Sequence, residues 1–243
     1  MKNHQVYGSG MIAKAFSGQN LPKNVVVIAA GVSNSQEVLC SEFRREKDLL
    51  EKVILENQGK KIIYFSSCSV YQSNVTPYVS HKLAMEKLIA ETAESFNIFR
   101  LPQVVGVTKN NTIISYFVKS LIKRDIITVY DNAKRYFIDV DDVVRIVLFL
   151  ISNKSCNSVI DICNDKRTSV LKVVHEIGKV LSIEPLVNSI DAGEDYDIPC
   201  LKLKATLSND DYIYNPDYVS NLLKKYVPLL ASQHSNPPTL IRF

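Results

Sequence analysis

Apolar positions along this chain follow two rhythms that alternate from near the start to the tail. Unbroken apolar runs of strand length are set between longer stretches in which apolar residues recur every three or four positions. The strand-like runs are "NVVVIAAG" (residues 24–31), "KIIYFSS" (61–67), "IFRLPQVVG" (98–106), "IITVY" (126–130) and "SVIDIC" (158–163), with a shorter one in "QVYGSG" at Gln5. Between them, residues 41–57 read as a helix, with Phe43, Leu50, Val53 and Ile54 on one face and Gly59 near its end. Helical spacing also covers residues 78–95, 113–122, the stretch opening at "DVDDVVRIVLFLI", and "TSVLKVVHEIGKVL", where Thr168 or Ser169 is the expected N-cap. A last helical segment lies in "PDYVSNLLKKY". Strand-like runs alternating with helices predict an α/β fold built on a mostly parallel, Rossmann-like sheet.

Length and composition narrow the picture. At 243 residues the chain suits one large domain or a core with a smaller appendage. A net charge of +4 is too mild to argue for nucleic acid, yet suits an anionic small molecule. "IVLFLI" is too short to span a bilayer, and no charged-then-apolar leader opens the sequence, so no membrane partner is expected. Cys40, Cys68, Cys156, Cys163 and Cys200 form no close pair in sequence and no metal-ligand cluster. Reduced thiols, a cytoplasmic location and no bound metal are the expectation.

Two motifs carry candidate chemistry. "GSGMIA" (residues 8–13) matches the dinucleotide fingerprint with alanine last, between a strand and a helix. There Gly8, Ser9, Gly10, Met11 and Ile12 would bring backbone N–H groups to a pyrophosphate. The spacing Tyr-x-x-x-Lys occurs twice, at Tyr78–Lys82 and Tyr130–Lys134. The second follows a strand-like run and contains "DNA", so it reads as a strand end and turn. The first opens a helix, where positions i and i+4 share a face. A lysine cation there favours the phenolate, which suits Tyr78 to move a proton to or from a carbonyl or alcohol. Ser67, at the end of the preceding strand, either holds the same oxygen or caps the strand end.

In order along the chain, "SSCSVYQ", "PYVSHKLAMEKLI", "FRLPQVVG", "KRYFIDVDDVV" and "VIDICND" resemble the motifs of the extended short-chain dehydrogenase/reductase family of sugar-nucleotide epimerases, dehydratases and reductases. The resemblance implies Tyr78 as acid/base, Lys82 as tuner of Tyr78 and anchor of the nicotinamide ribose, and Ser67 as substrate-orienting hydroxyl. It implies NAD or NADP held by residues 8–12, by Ala29, Ala30 and Gly31, and by Ser66, Tyr78 and Lys82. Gln103 and Arg135 would meet the diphosphate of a nucleotide sugar, a ligand that an arginine fork suits. For Arg135 a solvated surface charge is the alternative. His81 and Glu86 read as unremarkable helix residues, His81 as solvated. Cys68 and Ser69 stand where the family's dehydratases carry an acidic pair, which argues against dehydration.

The cofactor-binding core is expected over residues 1–106, completed by 136–165. A smaller substrate-side region would take 107–135 and 166–243. The expected activity is reduction or epimerisation of a nucleotide-linked 4-keto sugar for surface polysaccharide. Residues 17–24 lead straight from the glycine-turn helix to a run that resembles the family's fourth strand, so two strands on the adenosine side are missing. The polar "MKNHQVY" strand then becomes a sheet edge, and a homodimer is one way of completing the pocket. A catalytically degenerate nucleotide- or partner-binding module is the rival reading.

Overall fold

The computed structural model describes residues 5–152, 157–207 and 211–235; Cys156 and residues 1–4 of the polar edge segment lie outside these. In chain order the elements are β1 (Val6–Tyr7), α1 (Met11–Ser17), β2 (Val25–Ile28), α2 (Cys40–Glu56), β3 (Lys61–Ser67), α3 (Pro77–Thr92), β4 (Ser95–Leu101) and β5 (Gln103–Val105). They continue with α4 (Ile113–Lys123), β6 (Ile127–Tyr130), β7 (Lys134–Arg135), β8 (Phe137–Asp139), α5 (Val140–Ser152), β9 (Ser158–Asp161) and β10 (Thr168–Ser169). The last are α6 (Val170–Leu181), β11 (Val187–Ile190), α7 (Leu201–Thr206) and α8 (Tyr218–Ser235). Two compact units result: residues 1–102, 140–164 and 196–209 form the first, and residues 103–139, 165–195 and 210–243 the second.

The first unit is built on a parallel five-stranded sheet in the order β1-β2-β3-β4-β9. Register aligns Val26 with Ile62 and Ile62 with Phe96; one step on, Ile28, Tyr64 and Ile98 form a second row. Because side chains alternate faces along a strand, these even-numbered rows share one face. Leu50, Val53 and Ile54 of α2 and Met85 and Ile89 of α3 cover it. Burying each such side chain stabilises by about 1.5–3 kcal/mol. The odd-numbered residues point the other way, and there Phe16 of α1 packs on Phe65 with its ring tilted. Both faces are thus covered, which is why the strands read as unbroken apolar runs. Among the described residues β1 ends the sheet, as the missing strands predict. Gly8, just after β1, has φ 133°, and a Cβ there would collide with the Ala29 carbonyl. Only glycine allows this approach of the β1 turn to β2.

Two expectations are corrected. "IFRLPQVVG" is not one strand: β4 ends at Leu101, and β5 pairs with β8 in a separate sheet. Pro102 has no N–H to continue the ladder, so the chain changes sheet there. The cysteines are not all reduced: Cys163 and Cys200, with Cα atoms 6.1 Å apart, form a disulfide that ties the segment before α7 to the end of β9. Thirty-seven positions separate them in sequence, so spacing alone could not reveal the pair. Cys40 and Cys68 are free thiols. No described helix is long and apolar enough to cross a membrane.

In the second unit α4, α6 and α8 pack on one another beside three two-stranded sheets, β5-β8, β6-β11 and β7-β10. Asp139 anchors α8 by accepting from Lys225 Nζ at 2.8 Å and Tyr226 Oη at 2.7 Å. Thr112 caps α4 in a reciprocal box with Ser115, and Ser169 caps α6. The second Tyr-x-x-x-Lys is a strand end and turn, since β6 stops at Tyr130 and the Ala133 N–H closes back on its carbonyl.

Candidate active site

The C-terminal ends of parallel strands are where α/β sheets bind ligands. In the first unit those ends bring together Gly8, the stretch 29–31, Ser66 and Ser67, with α3 starting ten residues after Ser67. Thr76 caps α3 by accepting from the Val79 N–H at 3.2 Å, and Pro77 takes the first turn, where its missing N–H costs nothing. This start places Tyr78 and Lys82 one turn apart on the same buried face. Tyr78 packs with Val32 and Val79, and its ring centroid lies 5.7 Å from Lys82 Nζ.

Lys82 Nζ itself is turned to a carboxylate. It donates to Glu46 Oε1 at 2.8 Å and to Tyr64 Oη at 3.2 Å. Glu46 comes from α2 and is 3 % exposed. Its Oε1 also accepts from Tyr64 Oη at 2.6 Å, and its Oε2 accepts from the Val32 N–H at 2.6 Å and from His81 Nε2 at 3.0 Å. Four donors meet the four lone-pair sites of one ionised carboxylate. Burial alone would raise the Glu46 pKa, but the His81 hydrogen bond and the Lys82 charge outweigh it and hold the group well below the usual carboxylate range. Burial, then the Glu46 charge, push the Tyr64 phenol well above 10. Gly31 is required here for space: a Cβ would lie 2.6 Å from Glu46 Oε1 and 2.7 Å from Lys82 Nζ.

His81 is therefore not solvated. It is buried, bonded to Glu46, and stacked on Phe43 at 4.7 Å between ring centroids. Glu86 is not an unremarkable helix residue either. It accepts from Ser66 Oγ at 2.6 Å and holds Arg100 through two bonds, at 2.9 and 2.6 Å. Arg100 Nη1 reaches Tyr71 Oη at 2.8 Å, and Tyr71 Oη donates to Asp161 at 2.9 Å. Burial, then the Asp161 contact, push the Tyr71 phenol up to about 12. Ser67 Oγ accepts from the Ser69 N–H at 3.1 Å, capping the 3-10 turn over Cys68–Tyr71, and donates to Ser69 Oγ at 3.0 Å. Its capping role is thus realised, with the side chain only part-buried. Cys68 is fully buried, and burial raises its thiol pKa.

The other predicted residues are placed as follows. Ser9 and Gly10 are exposed, a Cβ at Gly10 would meet nothing within 4 Å, and Met11 and Ile12 are half-buried at the start of α1. That open glycine turn leaves backbone room for a phosphate. Ala29 and Ala30 are half-buried after β2. Gln103 and Arg135 belong to the second unit. Arg135 Nη1 donates to the carbonyls of Lys134 and Glu194, both at 2.8 Å, and its strand pairs with β10.

These elements define an α/β protein of the dinucleotide-binding type with a tyrosine–lysine pair at the strand ends. Residues 12–163 match the model of the NAD dependent epimerase/dehydratase family, and the chain belongs to that family. No curated protein matches it. Among solved structures it is similar to a UDP-N-acetylglucosamine 4-epimerase from Methanobrevibacter ruminantium in complex with UDP-N-acetylmuramic acid (20% identity, 86% of this chain and 76% of that one, TM-score 0.69). It is similar also to RMD from Pseudomonas aeruginosa complexed with NADPH (16%, 86% and 81%, 0.69). A third is the UDP-glucose 4-epimerase of Thermus thermophilus in complex with NAD (15%, 84% and 76%, 0.66). At these identities the likeness establishes the fold.

Proposed function

We propose that the chain is an NAD- or NADP-dependent oxidoreductase or epimerase of nucleotide-linked 4-keto sugars, serving surface-polysaccharide synthesis. The observation that carries this reading is the buried pair Tyr78 and Lys82 on one face of α3, beside the strand ends that carry Ser67 and Gly31. Tyr78 moves the proton at the sugar oxygen, and Ser67 Oγ orients that oxygen by exchanging its bond to Ser69 for one to substrate. The glycine turn at residues 8–12 receives the pyrophosphate, with Ala29, Ala30, Gly31 and Ser66 along the cofactor. When bound, the dinucleotide supplies or accepts the hydride. With β1 at the sheet end among the described residues, the adenosine half has less wall than a full sheet provides.

Weak binding with little choice between NAD and NADP is therefore expected. The two dissociation constants, measured by titration alongside the mass in solution, should lie within about tenfold of each other. Tight binding with strong preference by a strict monomer would overturn this account of the shortened core. Gln103 and Arg135 are assigned to the diphosphate. Arg135→Ala is expected to weaken binding of a nucleoside diphosphate by about ten- to a hundredfold in calorimetry, the value of one charge-assisted hydrogen bond. Equal affinities would return Arg135 to the surface. One observation favours the rival, a non-catalytic binding module of the same fold: Lys82 is already committed to Glu46.

A further inference from the structure

We propose that Glu46 is a positioning residue of this site: its carboxylate holds Lys82 as half of a neutral pair and thereby sets the charge that Tyr78 experiences. The inference rests on the reading of Tyr78 as the acid/base. It goes beyond that reading by adding a buried carboxylate from α2, the helix whose Phe43 packs beside Tyr78 and His81.

Three features carry it. First, Glu46 is met by four polar groups from three parts of the chain: Val32 after β2, Tyr64 on β3, and His81 and Lys82 on α3. The Val32 N–H and the Lys82 ammonium can only donate, and the Lys82 charge with these hydrogen bonds holds the group ionised. Second, the ion pair is sealed. Both side chains are 3 % exposed, and Gly31 leaves no room for a Cβ against them. A screened surface pair would hardly fix a lysine in place, but a buried one with full hydrogen bonding does. Third, the pair adjoins Tyr78. Val32, whose N–H binds Glu46, packs on Tyr78, and the Lys82 ammonium lies 5.7 Å from the Tyr78 ring centroid.

The consequence is electrostatic. An isolated lysine cation beside Tyr78 would favour the phenolate. With Glu46 in contact, Lys82 faces Tyr78 as half of an ion pair and not as a lone cation, so the carboxylate, and not the Tyr-x-x-x-Lys spacing alone, decides the charge beside the ring. The other titratable groups facing the cluster are Tyr64 from β3 and, on α3, His81 and Glu86, whose charge reaches Tyr64. Arg45 of α2 lies on the exposed side, at the Ala30 carbonyl.

The test reads Tyr78 directly and needs neither cofactor nor turnover. Phenolate formation is followed by ultraviolet titration of the whole chain, each protein referenced to its own Tyr78→Phe counterpart. Glu46→Gln keeps shape and removes the counter-charge, so the Tyr78 midpoint is expected to fall by about one to two pH units, the effect of one charge across a side-chain distance at an effective dielectric of about 20. An unchanged midpoint in folded Glu46→Gln would overturn the proposal. Where that variant does not fold, Glu46→Gln combined with Lys82→Met removes both charges together. Its Tyr78 midpoint is expected within about half a pH unit of wild type. A rise of about a unit or more would show Lys82 acting as an uncompensated cation, and would also overturn it. Turnover of Tyr78→Phe tests the acid/base reading separately, so the two failures are distinguishable.

Discussion

Tyr78→Phe is expected to lower turnover by about 10² to 10⁴, the usual worth of a positioned acid/base, while fold and dinucleotide affinity stay close to wild type. The substitution removes one hydroxyl from a ring that packs on Val32 and Val79. No hydrogen bond from that hydroxyl to Lys82 holds the helix: Lys82 is held by Glu46 and Tyr64 instead. Loss of rate with unchanged unfolding is therefore the signature of chemistry and not of structure. Steady-state kinetics together with a urea titration check it. Wild-type turnover in the variant would remove Tyr78 from the reaction.

Lys82→Met is expected to destabilise the first unit by about 3–5 kcal/mol, because it leaves a buried carboxylate without its cation. Its volume is nearly kept, so packing contributes little. The pH dependence carries a second readout. The folded Glu46 pKa lies below its unfolded value of about 4.3. Its stabilising contribution is therefore complete above that pH and is lost as pH falls through the carboxylate range and below. Without Lys82 the folded value rises toward or past the unfolded one, so the acid-induced loss of stability becomes shallower. Urea unfolding at neutral pH and at pH between about 3 and 5 tests both parts. A variant as stable as wild type would mean that the pair is not the buried unit described.

Much of the fold was legible because strands covered on both faces leave unbroken apolar runs, and the helices between them leave a three-to-four rhythm. The sheet end at β1 followed from counting what is missing between the first helix and "NVVVIAAG". The break at Pro102 was visible as a proline, yet the flanking apolar runs hid that the chain changes sheet there. That Tyr78 and Lys82 share a helix face was legible by spacing, and that Ser67 ends a strand was legible from the apolar run before it. Their partners were not, because Glu46 lies 36 positions from Lys82 and Asp161 lies 90 from Tyr71. One signal did exist. Glu46 stands one turn before Leu50, on the same stripe as Val53 and Ile54, and a charged residue on an apolar helix face calls for a buried partner. His81 was misread for the same reason: its neighbour in space comes from another helix. The Cys163–Cys200 pair likewise depends on tertiary folding alone.

Hydride transfer itself offers the most direct test of the functional account. The full chain is mixed with a reduced nicotinamide dinucleotide and a nucleoside-diphosphate 4-keto sugar, and the near-ultraviolet absorbance of the reduced ring is followed, with Tyr78→Phe in parallel. The expected result is oxidation of the dinucleotide by wild type and its suppression by about 10² or more in the variant. Binding of both ligands with no oxidation in either protein would contradict the account, and would mean that this fold has kept its ligands but not its chemistry.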